Sequence, residues 1–204
     1  MTSRVVLATH NPGKVREVGE ILQAEGVTSV ELVAAGELGV PSPVEDGVTF
    51  KQNALIKARA ACQTTGLAAL AEDSGLCVEV LGGAPGVFSA LWSGTHSADQ
   101  ANLRLLLAQL VDVPDPHRGA WYECVAALVL PSGEEHVTSG RLTGRLAHAP
   151  QGEGGFGYDP IFIPETMAVT AAQLSPAQKN AISHRGRALR ALVPRLARLD
   201  QPMA

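Results

Sequence analysis

Cysteine is scarce and scattered. Only Cys62, Cys77 and Cys124 are present, far apart and without a Cys-x-x-Cys pair. That excludes a disulfide framework and the usual zinc spacings, and it fits a reducing cytosol. The six histidines are dispersed in the same way. No apolar run is long enough to span a bilayer, and no charged-then-apolar leader opens the chain. The expectation is a soluble cytoplasmic protein with no membrane partner. An excess of basic residues is also missing: the net charge is −4. A binder of nucleic acid polymers normally shows a basic face. A nucleotide held locally by a few Lys and Arg side chains is not excluded. Repeats, low-complexity tracts and linkers are not evident. The 204 residues are enough to bury a full core, so a single domain over 1–204, with room for two lobes, is expected.

What is present gathers around Glu72-Asp73-Ser74-Gly75, at the end of the apolar run Leu67 to Ala71. Two carboxylates followed by a hydroxyl and a glycine read as an acceptor-rich turn past a buried strand, before a second strand over Leu76 to Leu81. An ordinary surface turn fits a lone Asp-Ser-Gly. Ligands of α/β proteins, however, sit off the carboxyl ends of strands, and clustered oxygens suit Mg²⁺ better than zinc or copper.

Arg4 to Ala8 is a short β-branched run, read as the first strand. It leads through Thr9-His10-Asn11-Pro12-Gly13 to Lys14 and a helix marked by Val15, Val18 and Leu22, with Gly26 closing it. The unpaired N–H groups of a helix start favour an anion. A lysine in the first turn opposes the dipole, and a bound phosphate would remove that conflict. A plain Asn-Pro-Gly turn with an exposed lysine accounts for the same residues. The glycine spacing of a Walker motif is absent.

A turn-rich link from Pro41 ends in Glu45-Asp46-Gly47. The spacing then predicts a helix over Thr49 to Thr65, with Leu55, Ala58 and Cys62 as its apolar stripe. Phe50, Asn53 and Lys57 share a neighbouring face. Asp99 to Val111 reads as an amphipathic helix whose leucines are core. Trp121 to Leu130 and His136 to Leu146 read as strands joined by Pro131-Ser132-Gly133. In Gln151 to Pro160, four glycines surround Phe156 and Tyr158, which lets backbone approach a ligand and offers an aromatic face. Without a preceding strand or a following helix, the glycine spacing is not a dinucleotide fingerprint. Ser175-Pro176 marks a helix start. Lys179, His184 and Arg185 follow as a donor-rich edge, before a helix marked by Leu189, Leu192, Leu196 and Leu199.

Together the stretches LATHNPGK, EDGVTFKQNALIKA, AEDSGL, GGAPGVFSA, GGFGYDPIF and KNAISHRG run in order from residue 7 to 186. The chain thereby resembles the inosine-triphosphate pyrophosphatase (RdgB/Ham-like) family. The resemblance implies an α/β fold with a long, twisted mixed β-sheet flanked by helices, and two lobes enclosing an active-site cleft, as a homodimer. It implies Mg²⁺-dependent hydrolysis of ITP, dITP and XTP to the monophosphate and pyrophosphate. By position, the turn Thr9, His10, Asn11, Pro12, Gly13 and Lys14 would bind substrate, with Thr9, Asn11 and Lys14 on the triphosphate and Lys57 also facing phosphate. Glu45 and Asp73 would serve the metal. Asp73 would be the general base, assisted by Glu72. Ser74 would contact the nucleotide. Phe156, Gly157, Tyr158, Asp159, Lys179, His184 and Arg185 would frame the sugar and base.

Physical chemistry agrees with such roles. A metal held by carboxylates neutralises phosphate charge and lowers the pKa of its water, and lysines add fixed positive charge. Donors around the base would welcome a C6 oxygen and be left unpaired against the adenine amino group. The chain departs from the common family pattern at Leu91-Trp92, where Arg-Tyr is usual, and at Gln52, where Glu is frequent; Gln52 would alter support of the metal. His10 replaces a small residue and Pro12 stiffens the turn. A broader nucleotide phosphohydrolase, Maf-like, and a nucleotide sensor without turnover are the competing readings.

Overall fold

A computed structural model describes residues 2–199. The chain divides into two compact units. Among the described residues, the first comprises 2–73, 124–140 and 185–199, and the second 74–123 and 141–184. The strands form a six-stranded sheet in the order β2-β1-β3-β4-β5-β6. These are β1 (Ser3–Leu7), β2 (Val30–Ala34), β3 (Ala68–Val78), β4 (Gly119–Val129), β5 (Glu135–Leu146) and β6 (Phe162–Pro164). Strand β1 lies parallel to β2 and β3, and β5 antiparallel to β6, so the sheet is mixed. The helices are α1 (Pro12–Ala24), α2 (Phe50–Thr65), α3 (Asp99–Gln109), α4 (Pro176–Ile182) and α5 (His184–Leu196). No described helix is long and apolar enough to cross a membrane.

In the first unit, the helix periodicities land where expected. Val18, Ile21 and Leu22 of α1 and Ala188, Leu189, Leu192 and Leu196 of α5 share one buried cluster with Val5, Leu7, Leu70 and Cys124. Asn11 caps α1 and Gly26 follows at φ +72°, the left-handed conformation that ends helices cheaply with glycine. Thr49 caps α2, whose Leu55, Ala58 and Cys62 are buried. In the second unit Leu103, Leu106 and Leu110 pack with Leu76, Val78, Leu142, Leu146, Tyr158, Ile161 and Phe162.

Two expectations are corrected. The turn expected at Glu72–Gly75 does not exist: β3 runs unbroken through it to Val78, and Glu79–Leu81 is a 3₁₀ turn rather than strand. The local turn chemistry of Asp-Ser-Gly loses because both carboxylates find fixed cationic partners off the strand, which lets extended backbone carry them. The helix start at Ser175 is as expected, with Gln178 reaching back to complete the cap of α4, and extended Ser183 separates α4 from α5. The β4–β5 turn is as expected, with the Gly133 N–H donating to the Leu130 carbonyl (2.9 Å).

Gly144 of β5 lies tight against β6: a Cβ there would press into the Ile163 carbonyl and the Phe162 ring. Backbone cannot yield as a flexible side chain would. Gly144→Ala is expected to destabilise the protein by about 1–3 kcal/mol in urea unfolding. An unchanged midpoint would show that the β6 pairing is dispensable.

Candidate active site

The site is built on the two-residue period of β3. Successive side chains of a strand point to opposite faces, so Glu72 and Asp73 take different hydrogen-bonding and ion-pair partners.

Asp73 faces α2. Lys57 Nζ donates to Asp73 Oδ1 at 3.1 Å, and Asn53 Nδ2 donates to Oδ2 at 3.3 Å. Asn53 and Lys57 are one helical turn apart, so one face of α2 supplies both donors. The same lysine donates to Glu45 Oε2 at 2.7 Å. Asn53 Oδ1 in turn accepts the Gly47 N–H at 2.9 Å, which fixes the loop that carries Glu45. A Cβ on Gly47 would fall 2.7 Å from Gln52 Cβ, so this clamp requires glycine. Burial raises the Asp73 carboxyl above its ordinary range, and Lys57 offsets only part of that. Burial by itself would lower the Lys57 ammonium, but Asp73 and Glu45 outweigh it and hold the pKa above its ordinary value.

Glu72 faces the other way and is buried. Lys14 Nζ lies 2.7 Å from Oε1, and Arg185 Nη2 lies 3.3 Å from it. Arg185 also pairs with Glu17 at 2.7 Å, and the Cys124 thiol donates to Glu72 Oε2 at 3.6 Å. Burial would raise the Glu72 carboxyl; Arg185 first and Lys14 second overcome this and hold it well below the usual carboxylate range. The first-turn lysine of α1 is therefore paired with the Glu72 carboxylate within the protein. Arg185 sits in this buried charge network of the first unit.

In the turn before α1, the Thr9 hydroxyl accepts the Asn11 N–H at 3.1 Å and Asn11 Oδ1 accepts the Gly13 N–H at 2.8 Å. Pro12 is the first helical residue. His10 Nε2 meets the Val40 carbonyl at 2.9 Å, which makes it the protonated nitrogen, and Nδ1 then accepts the Ser42 hydroxyl at 3.0 Å. His10 thus pins the segment that leads towards Glu45. Gln52 does not support a carboxylate: its Oε1 accepts the Val48 N–H (2.8 Å) and the Thr49 hydroxyl (3.2 Å), tying down the residues that lead into α2.

The second unit carries the remaining candidates. Asp159 is buried and central: its carboxylate accepts the Phe156 N–H at 2.8 Å and the Tyr122 hydroxyl at 3.4 Å, and it is ion-paired with Lys179. Lys179 Nζ also lies 4.5 Å from the Phe156 ring centroid. Phe156 is 57% exposed, whereas Tyr158 is a core residue whose hydroxyl donates to the Ser89 carbonyl at 2.9 Å. Of the two aromatics expected to offer a face, only Phe156 does. Gly157 N–H donates to Asp99 at 2.9 Å. His184 stacks on Tyr122, and Ser74 is half-buried in β3. Leu91 is 45% exposed, and Trp92 donates to Gln109.

Asn53, Glu17, Tyr122 and Asp99 were not singled out from sequence as site residues. The i, i+4 pairing of Asn53 with Lys57 was a usable signal; the others depend on tertiary contacts. Among the described residues no group of three or more His, Cys, Asp or Glu is set for a metal. The Glu45–Asp73 pair nonetheless fits Mg²⁺, which takes hard oxygens and is bound by one or two carboxylates with waters and substrate phosphates completing the shell. Both carboxylates already share one cation, the Lys57 ammonium.

A mixed α/β sheet, with Asp73 of β3 and Glu45 of the loop before α2 bridged by one lysine, defines the class as α/β proteins with a charge-lined polar site. The chain belongs to the Ham1 family, whose model matches residues 5–195. It is 56% identical over 192 residues to the dITP/XTP pyrophosphatase of Streptomyces coelicolor, covering 94% of this chain and 96% of that one. Among solved structures, it is similar to a HAM1 protein from Coxiella burnetii (TM-score 0.88, 41% identity, covering 96% and 98% of the two chains). It is also similar to a nucleoside-triphosphatase / dITP/XTP pyrophosphatase from Mycobacterium abscessus (TM-score 0.77, 51% identity, covering 95% and 99%).

The depressed Glu72 pKa sets a direction for stability. The ionised form is favoured by folding, so its contribution is fully present above the unfolded glutamate value, roughly pH 4.3. It is lost as pH falls below that through the lower folded value. Glu72→Gln is expected to cost about 3–5 kcal/mol near neutrality, because Arg185 and Lys14 lose their buried partner. In urea unfolding across pH, the gap to wild type should close only in that acidic window. A gap of similar size at pH 3 and pH 7 would contradict the assignment.

Proposed function

We propose that the protein hydrolyses the deaminated purine nucleotides dITP, ITP and XTP to the monophosphate and pyrophosphate, with Mg²⁺. The observation that carries the reading is the lysine-bridged pair, Glu45–Lys57–Asp73, with carboxylates held 2.7 and 3.1 Å from one ammonium. The names of the Streptomyces and Mycobacterium relatives support the substrate class.

Glu45 and Asp73 are the residues that would hold Mg²⁺. When bound, the ion withdraws charge from phosphate oxygens and acidifies a coordinated water. Asp73, held by Lys57 and Asn53 with its carboxylate oxygens fixed, is suited to take the proton of the attacking water. The water oxygen bonds to phosphorus, the anhydride bond between the α- and β-phosphates breaks, and pyrophosphate leaves with the bonding electron pair. Lys57 supplies fixed positive charge to the phosphates as negative charge builds. Thr9, Asn11 and Lys14 attend the triphosphate, and Ser74 the nucleotide. Glu72 assists through Lys14 and Arg185, the two cations that it anchors, rather than by touching the reacting atoms. On this reading the base falls to Phe156, Lys179 and His184, with Asp159 ordering them. Their donors match a C6 oxygen and disfavour an amino group. Three buried free thiols suit a cytoplasmic enzyme, and the family resemblance implies a homodimer.

The test is pyrophosphate release from ITP, XTP, dITP, GTP, ATP and dTTP, with and without Mg²⁺. Fast, metal-dependent release from the six-oxo purines with little from ATP is expected. Equal rates across the panel would replace the reading with a broad phosphohydrolase, and tight ITP binding without product would replace it with a sensor. Lys57→Met should lower kcat for ITP by about 10²–10³, the scale of losing one charge-stabilising group. A wild-type rate would remove Lys57 from the chemistry.

A further inference from the structure

Tyr122 belongs to none of the groups assigned so far, yet it touches two of them. It lies on β4, where the strand pattern alone marks it as packing. Its ring is stacked on the His184 imidazole, with centroids 4.8 Å apart and planes 10° from parallel. Its other ring contact is a tilted one with the buried Phe162, centroids 4.7 Å apart. Phe162 is fully buried in the core of the second unit, so the tyrosine ring is backed by packed side chains. Its hydroxyl donates to Asp159 Oδ1 at 3.4 Å, the carboxylate that also receives the Phe156 N–H and pairs with Lys179.

We propose that Tyr122 is a positioning residue for base selection: its ring face fixes the plane of the His184 imidazole. This rests on the reading that His184 meets the base. An imidazole donates only in its ring plane, so a donor aimed at a C6 oxygen is useful only if that plane is held. Near-parallel stacking restrains tilt of the ring while leaving its edge able to donate. The stack carries the effect more than the hydroxyl, because the contact to Asp159 is long for an O–H···O bond and Asp159 has stronger donors in Lys179 and the Phe156 N–H.

Two variants separate ring from hydroxyl. Tyr122→Phe keeps the stack and should leave ITP and ATP kinetics within about twofold of wild type, as loss of one long, weak hydrogen bond implies. Tyr122→Leu removes the stack. It should raise KM for ITP by about five- to tenfold, the factor of one aromatic contact, with kcat nearly kept and KM for ATP unmoved. The ITP/ATP ratio of kcat/KM then falls by the same factor. In the NMR spectrum the His184 imidazole resonances should move in Tyr122→Leu and stay near their wild-type places in Tyr122→Phe. A merely structural role would instead lower kcat for every nucleotide in step with the folded fraction, and that result would overturn the proposal. So would an unchanged ITP/ATP ratio in Tyr122→Leu. His184→Leu, assayed alongside, separates the two levels of inference. If it lowers the ratio while Tyr122→Leu does not, only the role of Tyr122 fails. If His184→Leu itself leaves the ratio unchanged, the base reading fails beneath it.

Discussion

Strand β3 places two carboxylates on consecutive residues and sends them to opposite faces. Glu72 enters a buried network with Lys14, Arg185 and Glu17, and Asp73 joins Lys57, Asn53 and Glu45. Most of what is distinctive in the first unit depends on this division. One face answers cations in the first turns of α1 and α5, where the helix dipoles disfavour them. The other leaves a carboxylate whose ordinary pKa burial has raised and whose nearest cation it shares with a neighbouring acid. Had the chain turned at Asp73, as its local residues favour, all of these groups would compete for one small volume.

The charges also explain why the polar groups are tolerated in packed surroundings. Glu72 and Arg185 are both almost fully buried, and a buried ion is costly unless paired and hydrogen-bonded. Glu72 therefore has two cations and Arg185 two carboxylates. The second unit repeats the device with a single hub, Asp159, which orders an irregular loop from within. A Cβ on Gly155, at φ +73°, would collide with that carboxylate, so the loop needs glycine for space as well as for conformation.

Much of this was legible in the sequence. Helix periodicity located α1, α2 and α3, because an amphipathic stripe repeats regardless of distant contacts. The cap at Ser175 and the turn at Gly133 are local chemistry of the same kind. The six motif stretches gave the family. What could not be read were outcomes set by remote partners. Asp-Ser-Gly favours a turn until Lys14, Lys57 and Arg185 are placed around it. Phe156 and Tyr158 look equivalent in a glycine loop that has no period to tell the exposed ring from the buried one. Gln52 was set beside the metal by the resemblance, in which Glu is frequent there, whereas its contacts to Val48 and Thr49 depend on how the loop before α2 folds back. Tyr122 was hidden by its strand, whose alternation explains a tyrosine without a second role.

The central claim is that the adjacent carboxylates have separate tasks, Asp73 reacting and Glu72 anchoring. Steady-state ITP hydrolysis by Asp73→Asn and Glu72→Gln, each corrected for its folded fraction, tests this most directly. The account expects Asp73→Asn to lose kcat by about 10²–10⁴, the range of a general base, with KM little changed. It expects Glu72→Gln to keep most of kcat and raise KM, because Lys14 is no longer held. An equal loss of kcat in both variants, with KM unchanged, would contradict it.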